Sequence, residues 1–233
     1  MNPAGGLARR AWLINQVRTN YPATPLVLLD TGNFSDNPTE VGDLRTATLL
    51  QSMKALGYKA INVGERDLTL GYDDFVKRTE GLGLKFISTN IVKQGTKEPI
   101  FQPYVVFEVK GASGKPVRVG VLGVDRYSPV WQKAGPAGTN LGMAAPADMI
   151  ATYLPELRAK SDVVVLLAAL SKEDAHDLAS GSPTSTWSLA PTAASTTRSR
   201  KPRAASASTT RETRGSASAR AGSTSMRNPG SRT

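Results

Sequence analysis

Short apolar runs separated by helix-length segments constrain the fold of this chain more than any other feature. Leu26-Val27-Leu28-Leu29-Asp30, Lys59 to Val63, Lys85 to Ser88, Val117 to Val124 and Asp162 to Leu167 have strand length and little polar interruption, the pattern of strands covered on both faces. Between them, Leu7, Ala11, Ile14 and Val17 recur at helical spacing until Tyr21-Pro22 stops the segment. Thr39 is placed to cap a helix through Leu56, with Gly57 at its C-terminal end. Further helices are expected over Asp73 to Glu80, Ala147 to Lys160 and near Lys172 to Ala179. Tyr104 to Lys110 should pair with Val117 to Val124 as a hairpin around Gly111-Ala112-Ser113-Gly114. The pattern is α/β, and about 180 residues suffice for one ordinary core. Ligands of open α/β sheets collect beyond the C-terminal ends of strands, which puts the loops holding Asn33 and Glu65 on one candidate edge.

Composition divides the chain near residue 180. The whole carries 29 Lys+Arg against 19 Asp+Glu, net +10; nine of those bases and one acid, Glu212, lie in the last 53 residues, Gly181 to Thr233, so the part before them is close to neutral at +2. A basic excess ordinarily points to nucleic acid or an anionic surface. Here it says nothing about residues 1–180. The tail has 12 Ser, 10 Thr, 9 Ala and 8 Arg, with Leu189 and Met226 its only larger aliphatic or thioether side chains. Such a stretch cannot bury enough apolar surface to fold alone, so we expect residues 181–233 to be a disordered basic tail, able to contact nucleic-acid phosphates if it is genuine.

Several classes are excluded. Without cysteine there is no disulfide framework, thiolate metal site or cysteine nucleophile. No run approaches about 18 consecutive apolar residues, and Met1 to Gly6 lacks the form of a signal peptide. Glycine spacings of the P-loop or Rossmann kind are absent. His176, in a charged stretch, reads as part of a solvated helix face; Asp125-Arg126, after the Val117 to Val124 strand, could face the same ligand edge but reads first as an ordinary surface ion pair. Trp12 and Trp131 are left open between core and rim.

Four segments carry a resemblance. Gly5-Gly6-Leu7-Ala8-Arg9-Arg10, Leu26 to Asp30 running into Thr31-Gly32-Asn33-Phe34, Met53 to Tyr58, and Gly64-Glu65-Arg66-Asp67 after Ala60 to Val63 resemble, in order and spacing, the calcineurin-like metallophosphoesterases, specifically the N-terminal domain of the 5'-nucleotidase group. The resemblance covers roughly residues 5 to 179. It implies a metallophosphoesterase-like α/β sandwich, here incomplete, and hydrolysis of nucleotide phosphate esters by two divalent ions of the Mn, Zn, Fe or Mg kind. It also implies a periplasmic or extracellular setting. The family's opening Asp-x-His segment would lie before Gly5, so we expect a misassigned start or a truncated gene. With G+C-rich codons and the frame moved back one base, Pro183 to Ala194 would read Ala-Asp-Val-Asp-Val-Val-Ala-Gly-Ala-Asp-Gly-Gly, similar to the family's strand and turn. We therefore expect a frameshift near Ser180 to Ser182.

The same resemblance assigns the site. Asn33 falls on the family's bridging Asp, Glu65 on a ligand Asn, Arg66 on the catalytic His that polarises phosphate, and Ala169 on a ligand His. An amide offers one neutral carbonyl oxygen where a carboxylate offers two charged ones, and a methyl group offers none. Asn33 and Glu65 are thus the candidate metal ligands, Arg66 the candidate catalytic residue, and Arg66 with Asp67 the candidate substrate-binding pair. Asp67 also reads as a loop organiser. Three functions follow: a two-metal phosphoesterase, with Glu65, Asp67 and the downstream Asp of the restored frame as substitute carboxylates; a non-catalytic member holding phosphate or a partner through Arg66 and backbone N–H groups; or a nucleic-acid binder acting through the tail.

Overall fold

The computed structural model describes residues 6–111, 114–126, 131, 140–171, 173–175, 178, 186–189 and 197–198. Three short parallel strands, β1 (Leu29–Asp30), β2 (Ala60–Asn62) and β3 (Phe86–Ile87), form one sheet in that order. Strands β5 (Tyr104–Lys110) and β6 (Pro116–Asp125) are the expected antiparallel hairpin, and β8 (Val163–Ala169) runs parallel to β6. Two strands unforeseen in the sequence, β4 (Ile91–Lys93) and β7 (Leu141–Met143), make a separate antiparallel pair. Three residues each are too few for periodicity to register.

Helix α1 (Leu7–Asn20) ends at Tyr21, and α2 (Glu40–Leu56) is capped as its sequence dictates. The Thr39 hydroxyl accepts from Gly42 N at 3.0 Å, and Gly57 takes the left-handed conformation that ends the helix. Helices α3 (Tyr72–Thr79) and α4 (Pro146–Lys160) lie within a residue of their expected bounds. Of the helix expected near Lys172 to Ala179, residues 173–175 and 178 are helical, and His176 lies outside the described residues.

Alternation along β6 and β8 explains the layering. Val119, Val121 and Leu167 face Ala60 and Ile87 of the first sheet, while Leu122, Val124, Val164, Leu166 and Ala168 face Ile150, Leu154 and Leu157 of α4. Leu50 and Met53 of α2 cover the other side of the first sheet against Ile61. The result is an α/β sandwich with helices outside two facing sheets. The Leu26–Asp30 run is half-buried rather than buried, and only its last two residues are strand. Among the described residues β1 has a neighbour on one side alone. Of the tryptophans, Trp131 packs in the core with Val63 and Phe75, and Trp12 stands exposed on α1.

Within the stretch 181–233, β9 (Thr186–Leu189) pairs parallel with β8 and β10 (Thr197–Arg198) pairs antiparallel with β9. Residues 202–233 lie outside the described part. No described helix is long and apolar enough to cross a membrane.

Candidate functional site

Loops after β1, β2 and β6 meet at one edge, where hydrogen bonds of Asn62 and Asp125 join them. After β1 the chain turns through Gly32 at φ 93° and Asn33 at φ 58°, left-handed conformations that glycine and asparagine tolerate best. A Cβ on Gly32 would lie 2.7 Å from the Asn62 carbonyl oxygen, so the turn needs glycine for space as well as for angle. Asn62, fully buried at the end of β2, donates through Nδ2 to the carbonyls of Thr31 (3.0 Å) and Val124 (3.1 Å), which ties three strand ends together.

Asp67 organises the turn Glu65–Leu68, a single 3-10 segment. Its carboxylate is fully buried and accepts backbone N–H bonds from Asn33 (2.8 Å), Ser35 (2.8 Å) and Gly64 (2.9 Å). Burial pushes this carboxyl up to about 6, against the pull of the N–H donors from Gly64, Ser35 and Asn33. Its oxygens face the protein backbone, which is the loop-organising role.

Asn33 and Asp125 form the next layer. The Asn33 Oδ1 accepts from Arg66 N at 2.9 Å and its Nδ2 donates to Asp125 Oδ1 at 3.5 Å. Asp125 also accepts from the backbone N–H of Glu65, in a short bond, and from Arg126 N at 2.7 Å. Asn90 pairs with the Asp125 main chain in both directions at 2.9 Å. Only 2% exposed, Asp125 is raised by burial, with the Glu65 and Arg126 N–H groups pulling the other way. The surface ion pair expected for Asp125-Arg126 is therefore corrected: Asp125 is a buried hub, and Arg126 reaches Glu65 Oε2 at 3.8 Å instead. The sequence did hold a signal, a carboxylate closing a long apolar strand at its C-terminal end.

Ala169 stands directly across the β6–β8 ladder from Asp125. The position that the resemblance gives to a ligand histidine thus lies at the site and carries a methyl group. Arg66 is exposed, and its guanidinium makes no hydrogen bond or ion pair with any described residue. It lines a pocket of about 310 Å³ with Asn33, Phe34, Ser35, Asp36, Arg45, Thr46 and Leu49. Within that pocket Arg45 Nη1 lies 3.3 Å from Asp36 Oδ2. The Asn37 N–H and then the Arg45 hydrogen bond hold the Asp36 carboxyl below its usual range, assisted by the charges of Arg45 and Arg66.

A two-metal centre needs several anionic or imidazole donors converging on one point. Here Asn33 is spent on Asp125 and Arg66 N, Asp67 on three backbone donors, and Glu65 on Arg126. Among the described residues no group of three His, Cys, Asp or Glu is arranged to hold a metal ion. The residues present do not fit the implied pair of metals, and the substitute Glu65–Asp67 site is not assembled.

No family model matches the chain. It is 27% identical over 194 residues to a 2',3'-cyclic-nucleotide 2'-phosphodiesterase/3'-nucleotidase of Salmonella typhimurium, an alignment spanning 76% of this chain and 29% of that protein. Its structure is similar to a 5'-nucleotidase precursor from Thermus thermophilus (TM-score 0.62, 26% identity, 76% of this chain and 34% of that one). It is also similar to a calcineurin-like phosphoesterase from Bacillus subtilis (TM-score 0.58, 25% identity, 70% and 53%). The chain thus spans less than a third of the length of the Salmonella relative.

Proposed function

We propose that this chain, which belongs as a partial domain to the 5'-nucleotidase family of calcineurin-like metallophosphoesterases, is a member with impaired hydrolysis that keeps a phosphate-ester-binding edge. Relatives named as nucleotidases and cyclic-nucleotide phosphodiesterases supply the family's chemistry, cleavage of nucleotide phosphate esters. One observation carries the impairment. Asn33, at the bridging position, is hydrogen-bonded on both sides of its carboxamide, to Asp125 and to the Arg66 main chain, and so fills with protein contacts the space a bridging ligand would serve.

What remains for a ligand is charge. Arg66 cannot accept a metal or give up a proton at neutral pH, yet a guanidinium binds phosphate well. Asn33 and Glu65 act in this reading as members of the loop framework rather than ligands, and Asp67 supports the loop that presents Arg66. Residues 1–180 supply the family's part, residues 181–233 follow a changed reading frame, and export of the protein belongs to the same reading. Resequencing the gene tests the frame.

Metal analysis of the purified full chain, combined with a generic phosphomonoesterase assay, tests the impairment. The expected result is substoichiometric Mn, Zn and Fe and no chelator-sensitive turnover. Stoichiometric metal with turnover abolished by chelator would reject it.

A further inference from the structure

Anion sites at loops of this kind usually draw on backbone N–H groups. Five of those amides are already engaged here. The amides of Asn33, Ser35 and Gly64 are bonded to Asp67, that of Glu65 to Asp125 and that of Arg66 to Asn33. With these five amides engaged, charge for an anion at this edge comes from side chains, and two arginines supply it.

We propose that Arg45 and Arg66 form a two-guanidinium subsite for the phosphate group of a small phosphate ester, with the Asp36 carboxylate, bonded to Arg45, as a resident stand-in for that anion. The inference rests on the phosphate-binding reading above and adds Arg45 and Asp36 to it. Both arginines line one pocket, one from the middle of α2 and one from the turn after β2. Both act on the same carboxylate: Arg45 bonds Asp36 and Arg66 reaches it through charge. Asp36 is held by a side chain that is itself 70% exposed, so the pair exchanges readily with a solution anion, as surface ion pairs do. Phe34 and Leu49 give the pocket an apolar wall beside the charges. A volume of about 310 Å³ lies at the small end of ligand pockets, roughly 300–1,000 Å³, which suits a phosphate with a modest organic group.

The test measures binding of inorganic phosphate and of phenyl phosphate to the full chain by calorimetry in EDTA, with wild type, Asp36→Asn, Arg45→Gln and Arg66→Gln compared at fixed ionic strength. Asparagine keeps the acceptor for Asn37 N and removes only the charge, so Asp36→Asn should tighten phosphate by about tenfold, the worth of one nearby charge close to a protein surface. Each arginine variant should weaken it by about as much. Unchanged or weaker binding in Asp36→Asn, or wild-type affinity in Arg45→Gln, overturns the subsite. Because chelator is present throughout, metal-dependent turnover found elsewhere would reject the impairment and leave these affinities to decide the subsite.

Discussion

Two layers of the same edge treat their carboxylates differently. In the floor, Asp67 and Asp125 are buried and accept two or three backbone N–H groups each; at the rim, Asp36 is partly exposed, accepts a single backbone N–H from its neighbour Asn37, and gives its other oxygen to the Arg45 side chain. Backbone donors are fixed by the fold, so a charge set against them stabilises a shape. A guanidinium on a flexible stem is not fixed, so a charge set against it can be exchanged. The floor carboxylates are structural and the rim carboxylate is exchangeable.

Removing Asp67 is the strongest way to break this contrast. Asp67→Ala strands three backbone N–H donors, and unsatisfied buried donors cost about 1–3 kcal/mol each, so we expect a loss of about 3 kcal/mol or more in urea denaturation at pH 7. A loss under about 1 kcal/mol would mean the floor is not structural.

A second effect lies in pH. The folded Asp67 carboxyl is raised from 3.8 to about 6, so it contributes stability that is full below about pH 4 and is lost as pH rises through about 6. Relative to Asp67→Asn, which does not titrate, wild type should lose about 2–3 kcal/mol across that window. A flat difference between the two proteins would sink the assignment. Asp36 at the rim has the opposite sign: its lowered carboxyl loses its contribution as pH falls below its ordinary value.

Gly123→Ala probes the packing beneath both layers. A Cβ there collides with the buried Asn62 carboxamide, and overpacking of this kind costs about 1–2 kcal/mol. A variant with wild-type stability would show that the three strand ends are not clamped as described. The smallest effect belongs to the rim, where Arg45→Gln should change stability by no more than about 0.5 kcal/mol. A larger loss would erase the distinction between floor and rim.

The helices and long strands were legible because their signals are local. Thr39 and Gly57 mark the ends of α2 by their own chemistry, and the apolar runs of β6 and β8 announce burial on both faces. Asn33, Glu65 and Arg66 were found by position on a familiar scaffold, and the structure does bring them to one edge. Asn62 and Asn90 escaped, and Asp125 was misjudged, because the partners that tie them into the site lie 31 to 92 residues away in sequence and no local pattern reports such bonds. Arg45 escaped for a different reason: on an exposed helix face its spacing resembles that of any solubilising charge.

The pairing of β9 with β8 has a consequence for inheritance. A parallel strand joins its neighbour through main-chain donors and acceptors, which every residue but proline carries. The berth beside β8 therefore checks for an extended chain and not for particular letters. A strand of altered sequence can still occupy that berth, provided it stays extended and brings no proline to the ladder.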